Sequence, residues 1–287
     1  MRIDDISKLA VIGSGTMGSQ IAMICALRGY SVVLYDISDE NLIKAKKSLQ
    51  GHMDRRVQKG RLIEEKVSDA FSKMTFSSKF EEMKDVDFVI EAIVEKLDAK
   101  RELFTKLDKV TPEHAVLATN SSTIVSSKIA DATNRPDKVC NVHFFNPPLV
   151  MELVEVVCGP HTSEETTQIA LELIKSIQKV PVLLKKEISG FIANRILGKL
   201  TDEAVYLLEN GYADHEEIDL VCTKALNHPI GPFALMDLTG IDVNNFVRMQ
   251  RYQESGNESD MPAKIVQEKV RKGELGRKTG KGFYTYD

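Results

Sequence analysis

Leu9-Ala10-Val11-Ile12-Gly13-Ser14-Gly15-Thr16-Met17-Gly18 is the stretch that decides the fold. Four apolar residues run into a G-x-G-x-x-G, and a mostly apolar segment from Ser19 to Leu27 follows, closed near Gly29. The first part reads as a strand, the glycines as a tight turn, and the last part as a helix. Three spaced glycines alone are a weak signal. Here a second strand, Ser31 to Tyr35, comes next and ends on an acid, Asp36. Together these elements predict a dinucleotide-binding unit. Gly13 permits the turn, Gly15 lets a pyrophosphate approach the backbone, and Gly18 lets helix and strand pack closely. The helix start at Thr16 and Met17 offers unpaired N–H groups to phosphates. A carboxylate at Asp36 accepts from both ribose hydroxyls and repels a 2′-phosphate, so NAD is expected over NADP, with a flavin as the weaker alternative.

Outward from this turn, apolar runs predict strands at Val86 to Ala92, Val116 to Thr119, Val139 to Phe144 and Leu153 to Val157. Strands separated by helices imply a Rossmann-like doubly wound α/β sheet, largely parallel. From Asn41 to about Met74 the chain is polar and helical in character, and basic at Lys44, Lys46, Lys47, Arg55, Arg56, Lys59, Arg61 and Lys66. It reads as a helical pair projecting from the sheet, broken near Gly60. After Lys186 the strand signal vanishes. Phe191 to Leu208 is helical, Asp214 with Glu217 resembles a capping box, Pro232 sits in a first turn, and Asp260-Met261-Pro262 opens another helix. The expected division is therefore a sheet domain over residues 1–185 and an all-α C-terminal domain over 186–287.

The 287 residues have material for about two domains. Hydrophobic residues are 43% and charged residues 28%, ordinary for a globular protein. A net charge of -4 gives no basic field for nucleic acid or anionic membrane. Met1 to Asp5 mixes charges and lacks the basic-then-apolar pattern of a signal peptide, and no apolar run approaches the roughly 20 residues of a membrane span. Cys25, Cys140, Cys158 and Cys222 are scattered, without ligand spacing, which argues against disulfides and zinc and fits a reducing cytoplasm.

Oxidising an alcohol needs a base for the hydroxyl proton, and histidine suits that near neutral pH. Of six histidines, His143 stands out, at the carboxyl end of an apolar strand, where doubly wound sheets bind ligands. Glu155 lies in the next apolar strand, and a carboxylate there demands a partner. A His143–Glu155 pair satisfies both and would fix the imidazole tautomer. A satisfied core histidine is the competing reading.

The motifs VIGSGTMGSQIA from Val11, FVIEAIVE from Phe88, TNSST from Thr119, HFFNP from His143 and LVEVV from Leu153 continue as GFIANRI from Gly190, HPIGPFALMDLTGID from His228 and GRKTGKGFY from Gly276. In this order, over essentially the whole chain, they resemble the 3-hydroxyacyl-CoA dehydrogenase family, especially its short-chain bacterial members. The resemblance implies that His143 is the catalytic base and Glu155 its partner. It implies that Ser122 is a hydroxyl near substrate and nicotinamide, and that Asn194 is an active-site amide. Glu95, Lys100 and Asn146 match cofactor contacts, and the backbone at Ala92 and Ile93 passes the cofactor. Lys59 matches a contact to the 3′-phospho-ADP end of a short-chain acyl-CoA substrate. A homodimer or higher homo-oligomer, formed through the helical domain, is also implied.

The chain departs from the family at a few points. Leu149 replaces the second proline and Glu152 the lysine of the usual NP-x-P-V-M-K-L-V-E pattern; Ser189 stands where proline commonly precedes GF, and His52 where animal relatives tend to have serine. A dehydrogenase for a free hydroxy acid, or a non-catalytic protein like the related lens crystallins, are the alternatives.

Overall fold

The computed structural model describes residues 2–286, the side chain of residue 254 excepted. β1 (Lys8–Ile12) leads through the glycine turn into α1 (Thr16–Ala26) and back to β2 (Ser31–Tyr35). Two helices, α2 (Asp39–Gln58) and α3 (Glu64–Ser72), precede β3 (Met74–Ser77). Then come β4 (Phe88–Glu91), α4 (Leu97–Val110), β5 (Val116–Thr119), the short α5 (Ser127–Ala130), β6 (Val139–Phe144) and β7 (Leu153–Val157). α6 (Glu164–Ser176) and β8 (Val180–Leu184) complete the sheet, whose order is β3-β2-β1-β4-β5-β6-β7-β8. Neighbouring strands run parallel except β6 and β7. Strand order reverses at β1, between β2 and β4, which is where such sheets open a ligand crevice.

The central strands are apolar on both faces because helices cover both. Leu9 and Val11 of β1 pack with α1 and α6 on one face, whereas Ala10 and Ile12 pack with Phe104 and Leu107 of α4 on the other. α2 begins at Ser38, whose side chain accepts from the Asn41 amide, and Asp39 and Glu40 complement the helix dipole. Its stripe Leu42, Ala45, Leu49 and Met53 is buried in the main core. The α2–α3 pair is thus anchored along this stripe, and its turn at Gly60 (φ +64°) is exposed, with Val57 and Leu62 still packed against the core.

The helical stretch ends at Ser72, close to the expected end near Met74, and Met74 starts β3. β3 and β8 are the two edge strands. Neither has the continuous burial that marks the inner strands, and β8 carries Pro181, which an edge tolerates.

The chain divides into two compact units, Met1–Ile192 and Ala193–Asp287, later than the change of pattern at 185 suggested. The intervening segment is tied to the sheet. The Glu187 carboxylate accepts from Ser126 Oγ (2.7 Å), the buried Phe191 packs with Val157 and Leu184, and the Ile192 amide donates to Glu155 (2.9 Å).

The second unit holds α7 (Ala193–Glu209), α8 (His215–Lys224), α9 (Pro232–Thr239), α10 (Ile241–Ser255) and α11 (Lys264–Arg271). The Asp214–Glu217 capping box and Pro232 in the first turn of α9 stand as expected. Gly240, at φ +103°, separates α9 from α10, a break the sequence pattern did not show. Two buried aspartates lock this unit. Asp219 accepts from the Phe233 and Ala234 amides and from Tyr284 Oη, and Asp237 accepts from the Phe283 and Tyr284 amides and from Tyr286 Oη. The terminal motifs thus fasten the tail to α8 and α9.

Candidate active site

The glycine turn is dictated by close approach. The Gly13 amide donates to Tyr35 O (2.8 Å), and the Ala92 amide donates to Ile12 O (2.8 Å). At φ +100° a Cβ on Gly13 would stand 2.6 Å from Ala92 O, and one on Gly18 would stand 1.8 Å from Gly13 O. Gly15 differs: a Cβ there would meet nothing within 4 Å. It is the N-cap of α1, and no side chain caps that end. The N-terminus of α1 is therefore left without a side-chain cap, beside open space at Gly15, which suits an anion.

Asp36 closes the crevice on the β2 side. It accepts from the Ser14 amide (2.9 Å), Ser14 Oγ (2.8 Å), the Ser38 amide (3.0 Å) and Asn41 Nδ2 (3.4 Å). Burial works against its charge, but these hydrogen bonds outweigh it and hold the carboxyl below its ordinary range. A fixed anion beside an open helix N-terminus fits a dinucleotide with free ribose hydroxyls.

On the β4 side lies a network that the sequence reading only half anticipated. Glu91, fully buried at the end of β4, accepts from Lys100 Nζ (2.7 Å), Thr119 Oγ1 (2.6 Å) and the Ile93 amide (2.7 Å). Lys100, also buried, reaches Glu95 at 3.2 Å. Glu95 in turn accepts from Ser121 Oγ and from Thr123 Oγ1 (2.8 Å). Burial disfavours the Glu95 carboxylate, yet Lys100 and these donors hold its pKa below the usual range. Lys100 thus turns inward, and Glu91 is its anchor. The signal for Glu91 was available: an acid inside an apolar strand requires a buried partner.

The antiparallel step places His143 directly opposite Glu155. Nδ1 of His143 stands 2.9 Å from Oε2 of Glu155, and the side chains are 7% and 1% exposed. The other carboxylate oxygen accepts from the Ile192 amide. Phe145 and Phe191 flank the imidazole, with ring centroids 4.7 Å and 5.3 Å away. Asn120, on the loop after β5, accepts from the Phe144 amide (2.8 Å). That bond fastens the loop carrying the half-buried Ser122 next to the histidine strand. Asn146 is exposed and forms a cis bond to Pro147. Lys59 is exposed at the end of α2, and His52 lies two turns earlier, its Nδ1 3.1 Å from Arg55 Nη2. Asn194 lies in the first turn of α7, in the second unit.

Among the described residues no group of His, Cys, Asp or Glu is arranged to hold a metal ion, and no helix is long and apolar enough to cross a membrane.

Residues 8–188 match the family model of the 3-hydroxyacyl-CoA dehydrogenase NAD binding domain, and residues 190–286 match the C-terminal domain of the same family. A 3-hydroxybutyryl-CoA dehydrogenase of Clostridioides difficile is 41% identical over 280 residues, covering 98% of this chain and 99% of that protein. The crystal structure of an (S)-3-hydroxybutyryl-CoA dehydrogenase from Ralstonia eutropha superposes with a TM-score of 0.93 at 38% identity, covering 99% of this chain and 100% of that one. A solved diketoreductase gives a TM-score of 0.87 at 34% identity, covering 98% and 99%. The chain therefore belongs to the 3-hydroxyacyl-CoA dehydrogenase family of NAD-dependent oxidoreductases, and its first unit is the family's NAD-binding domain.

Proposed function

We propose that the protein interconverts (S)-3-hydroxyacyl-CoA and 3-oxoacyl-CoA, with a short acyl chain, 3-hydroxybutyryl-CoA being the preferred substrate. The observation that carries this reading is the buried His143–Glu155 pair at the ligand edge of a dinucleotide-binding sheet. With Glu155 accepting from Nδ1–H, Nε2 is the nitrogen that takes the 3-hydroxyl proton, and in the reductive direction it returns that proton to the carbonyl oxygen. Glu155 also stabilises the imidazolium formed on the way. Bound NAD supplies the hydride acceptor, and C3 of the substrate loses hydride as its hydroxyl loses the proton.

The remaining residues bind and orient. Thr16, Met17 and the open Gly15 backbone receive the pyrophosphate, and Asp36 receives the ribose hydroxyls. Glu95 and Asn146, with the backbone at Ala92 and Ile93, line the nicotinamide side, where Lys100 holds Glu95 in place. Ser122 and Asn194 donate to the substrate oxygens, and Lys59 meets the CoA phosphate end. Four free cysteines fit a reducing compartment such as the cytoplasm, and the helical unit supplies the surface for a homodimer.

The test is a set of steady-state rates with acetoacetyl-CoA, longer 3-oxoacyl-CoA esters and free 3-oxo acids, each with NADH and NADPH. The reading expects the highest kcat/KM for acetoacetyl-CoA with NADH. Equal rates on the free acid, or on a dicarbonyl compound of the kind the diketoreductase acts on, would replace the CoA ester as substrate.

A further inference from the structure

The first unit ends in Ile188-Ser189-Gly190-Phe191-Ile192. The Phe191 amide donates to Ile188 O (3.1 Å), closing a tight turn in which Gly190 has φ +77°. Glycine takes that angle freely. Phe191 follows at φ +50°, in the left-handed region that bulky side chains avoid. Among the described residues two other non-glycine residues have positive φ, Gln178 and Asn227, and both are exposed. Phe191 is fully buried. A bulky residue persists in such a conformation only where its surroundings over-determine it, and such residues cluster at functional sites.

The surroundings do so here. Upstream, the Glu187 carboxylate accepts from Ser126 Oγ (2.7 Å) and from the Ser127 amide (2.9 Å), and Ser189 Oγ donates to Thr123 O (3.3 Å). The segment is thereby fastened to the loop that carries Ser122. Val125, Val157, Val182 and Leu184 hold the Phe191 side chain. The backbone path then makes two contacts at once. It lays the Phe191 ring against His143, with centroids 5.3 Å apart and planes tilted by 56°. It also aims the next amide, Ile192 N–H, at Oε1 of Glu155 (2.9 Å). That donor takes one carboxylate oxygen, while the other, Oε2, faces Nδ1 of His143. A single strained residue thus governs contacts to both members of the pair. Phe145 flanks the imidazole too, but it belongs to the end of the histidine's own strand.

We propose that Phe191 is a positioning residue for proton transfer between the substrate hydroxyl and Nε2 of His143. Its ring fixes the plane of the imidazole and keeps water from the bond between Nδ1 and Glu155. Its left-handed backbone holds the Ile192 amide on Glu155, so the carboxylate cannot turn. Nε2 is then held in one direction, and proton transfer tolerates little misalignment. Phe191 acts through the pair and not on the substrate, and the proposal rests on the reading of His143 as the base.

Phe191→Leu keeps an apolar side chain and removes the ring. Phe191→Met is read beside it, because a flexible chain packs where leucine does not. In single turnovers with acetoacetyl-CoA and NADH, the chemical step should slow by about tenfold or more in the folded variants. NADH affinity and the KM for acetoacetyl-CoA should stay within about twofold of wild type. In the His143→Gln background the same substitution should change the residual rate by less than about twofold, because its route of action is gone. A second readout needs no turnover. In protein carrying isotope-labelled histidine, the His143 Nδ1–H magnetic resonance signal is assigned by its loss in His143→Gln. It should exchange with solvent about tenfold faster in Phe191→Leu. An unchanged chemical step in a folded variant would overturn the proposal, as would an equal fractional loss in the His143→Gln background. Absence of turnover by the wild type would instead sink the dehydrogenase reading, with the Nδ1–H signal still reporting whether Phe191 holds the pair.

Discussion

His143 on β6 and Glu155 on β7 are direct cross-strand partners, with Nδ1 and Oε2 2.9 Å apart. Cross-strand neighbours on one face stand close enough for their side chains to meet, so the register itself makes the pair. Glu155→Gln keeps the shape and an acceptor for the Ile192 amide, but offers an N–H to Nδ1 and forces the proton onto Nε2. We expect kcat with acetoacetyl-CoA and NADH to fall by about 10²-fold or more, with little change in melting temperature. A loss of under threefold, about 0.6 kcal/mol, would leave Glu155 no orienting role.

The Glu91–Lys100 pair makes a stability prediction. Both side chains are buried, 0% and 1% exposed. Lys100→Met leaves a buried carboxylate with only Thr119 and the Ile93 amide as donors. Breaking such a pair costs about 3–5 kcal/mol. Urea denaturation of Lys100→Met, Glu91→Gln and the double variant should show the double variant more stable than Lys100→Met alone. Simple additivity of the two losses would mean that the pair is not coupled.

Asp36 sets the cofactor preference. Asp36→Ala should lower the NADH over NADPH preference by about tenfold or more, through loss of charge-assisted bonds and of repulsion. Because the folded carboxyl is held below its ordinary range, its charge is present above that range and is lost only as pH falls through the lowered folded value. The NADH affinity gap between wild type and Asp36→Ala should therefore stay constant from about pH 8 to pH 5. A gap that closes within that window would place the carboxyl's titration higher than the hydrogen bonds allow.

Gly15 and Gly18 should respond differently to alanine. At Gly18 the new Cβ would overlap Gly13 O, at 1.8 Å, so Gly18→Ala is expected to unfold or grossly shift the turn. At Gly15 the added methyl meets nothing in the protein. Gly15→Ala should fold normally, as read by thermal melting, and lose NADH affinity, as read by fluorescence titration. Normal NADH binding by a folded Gly15→Ala would remove the phosphate role of that space.

Much of the fold was legible because the strongest patterns are local. The run Leu9–Ile12, the glycines and Asp36 are contiguous, and each does its work within one strand–turn–helix unit. His143 and Glu155 were legible as two ionisable groups in apolar strands that become neighbours through the antiparallel register. Edge strands were harder. Met74–Ser77 follows a polar helix without a turn signal, and Val180–Leu184 is half-exposed. Glu91 was legible as an acid inside an apolar strand, but its three partners, Lys100, Thr119 and Ile93, were not, because they come from the next helix, the next strand and a turn.

The central claim is that His143 moves the substrate proton. The most direct measurement is single-turnover oxidation of NADH by acetoacetyl-CoA in wild type and His143→Gln, with NADH binding measured in parallel. The account predicts unchanged NADH affinity and a chemical step slowed by about 10²–10⁴-fold. A folded His143→Gln enzyme that turns over at close to the wild-type rate would contradict it.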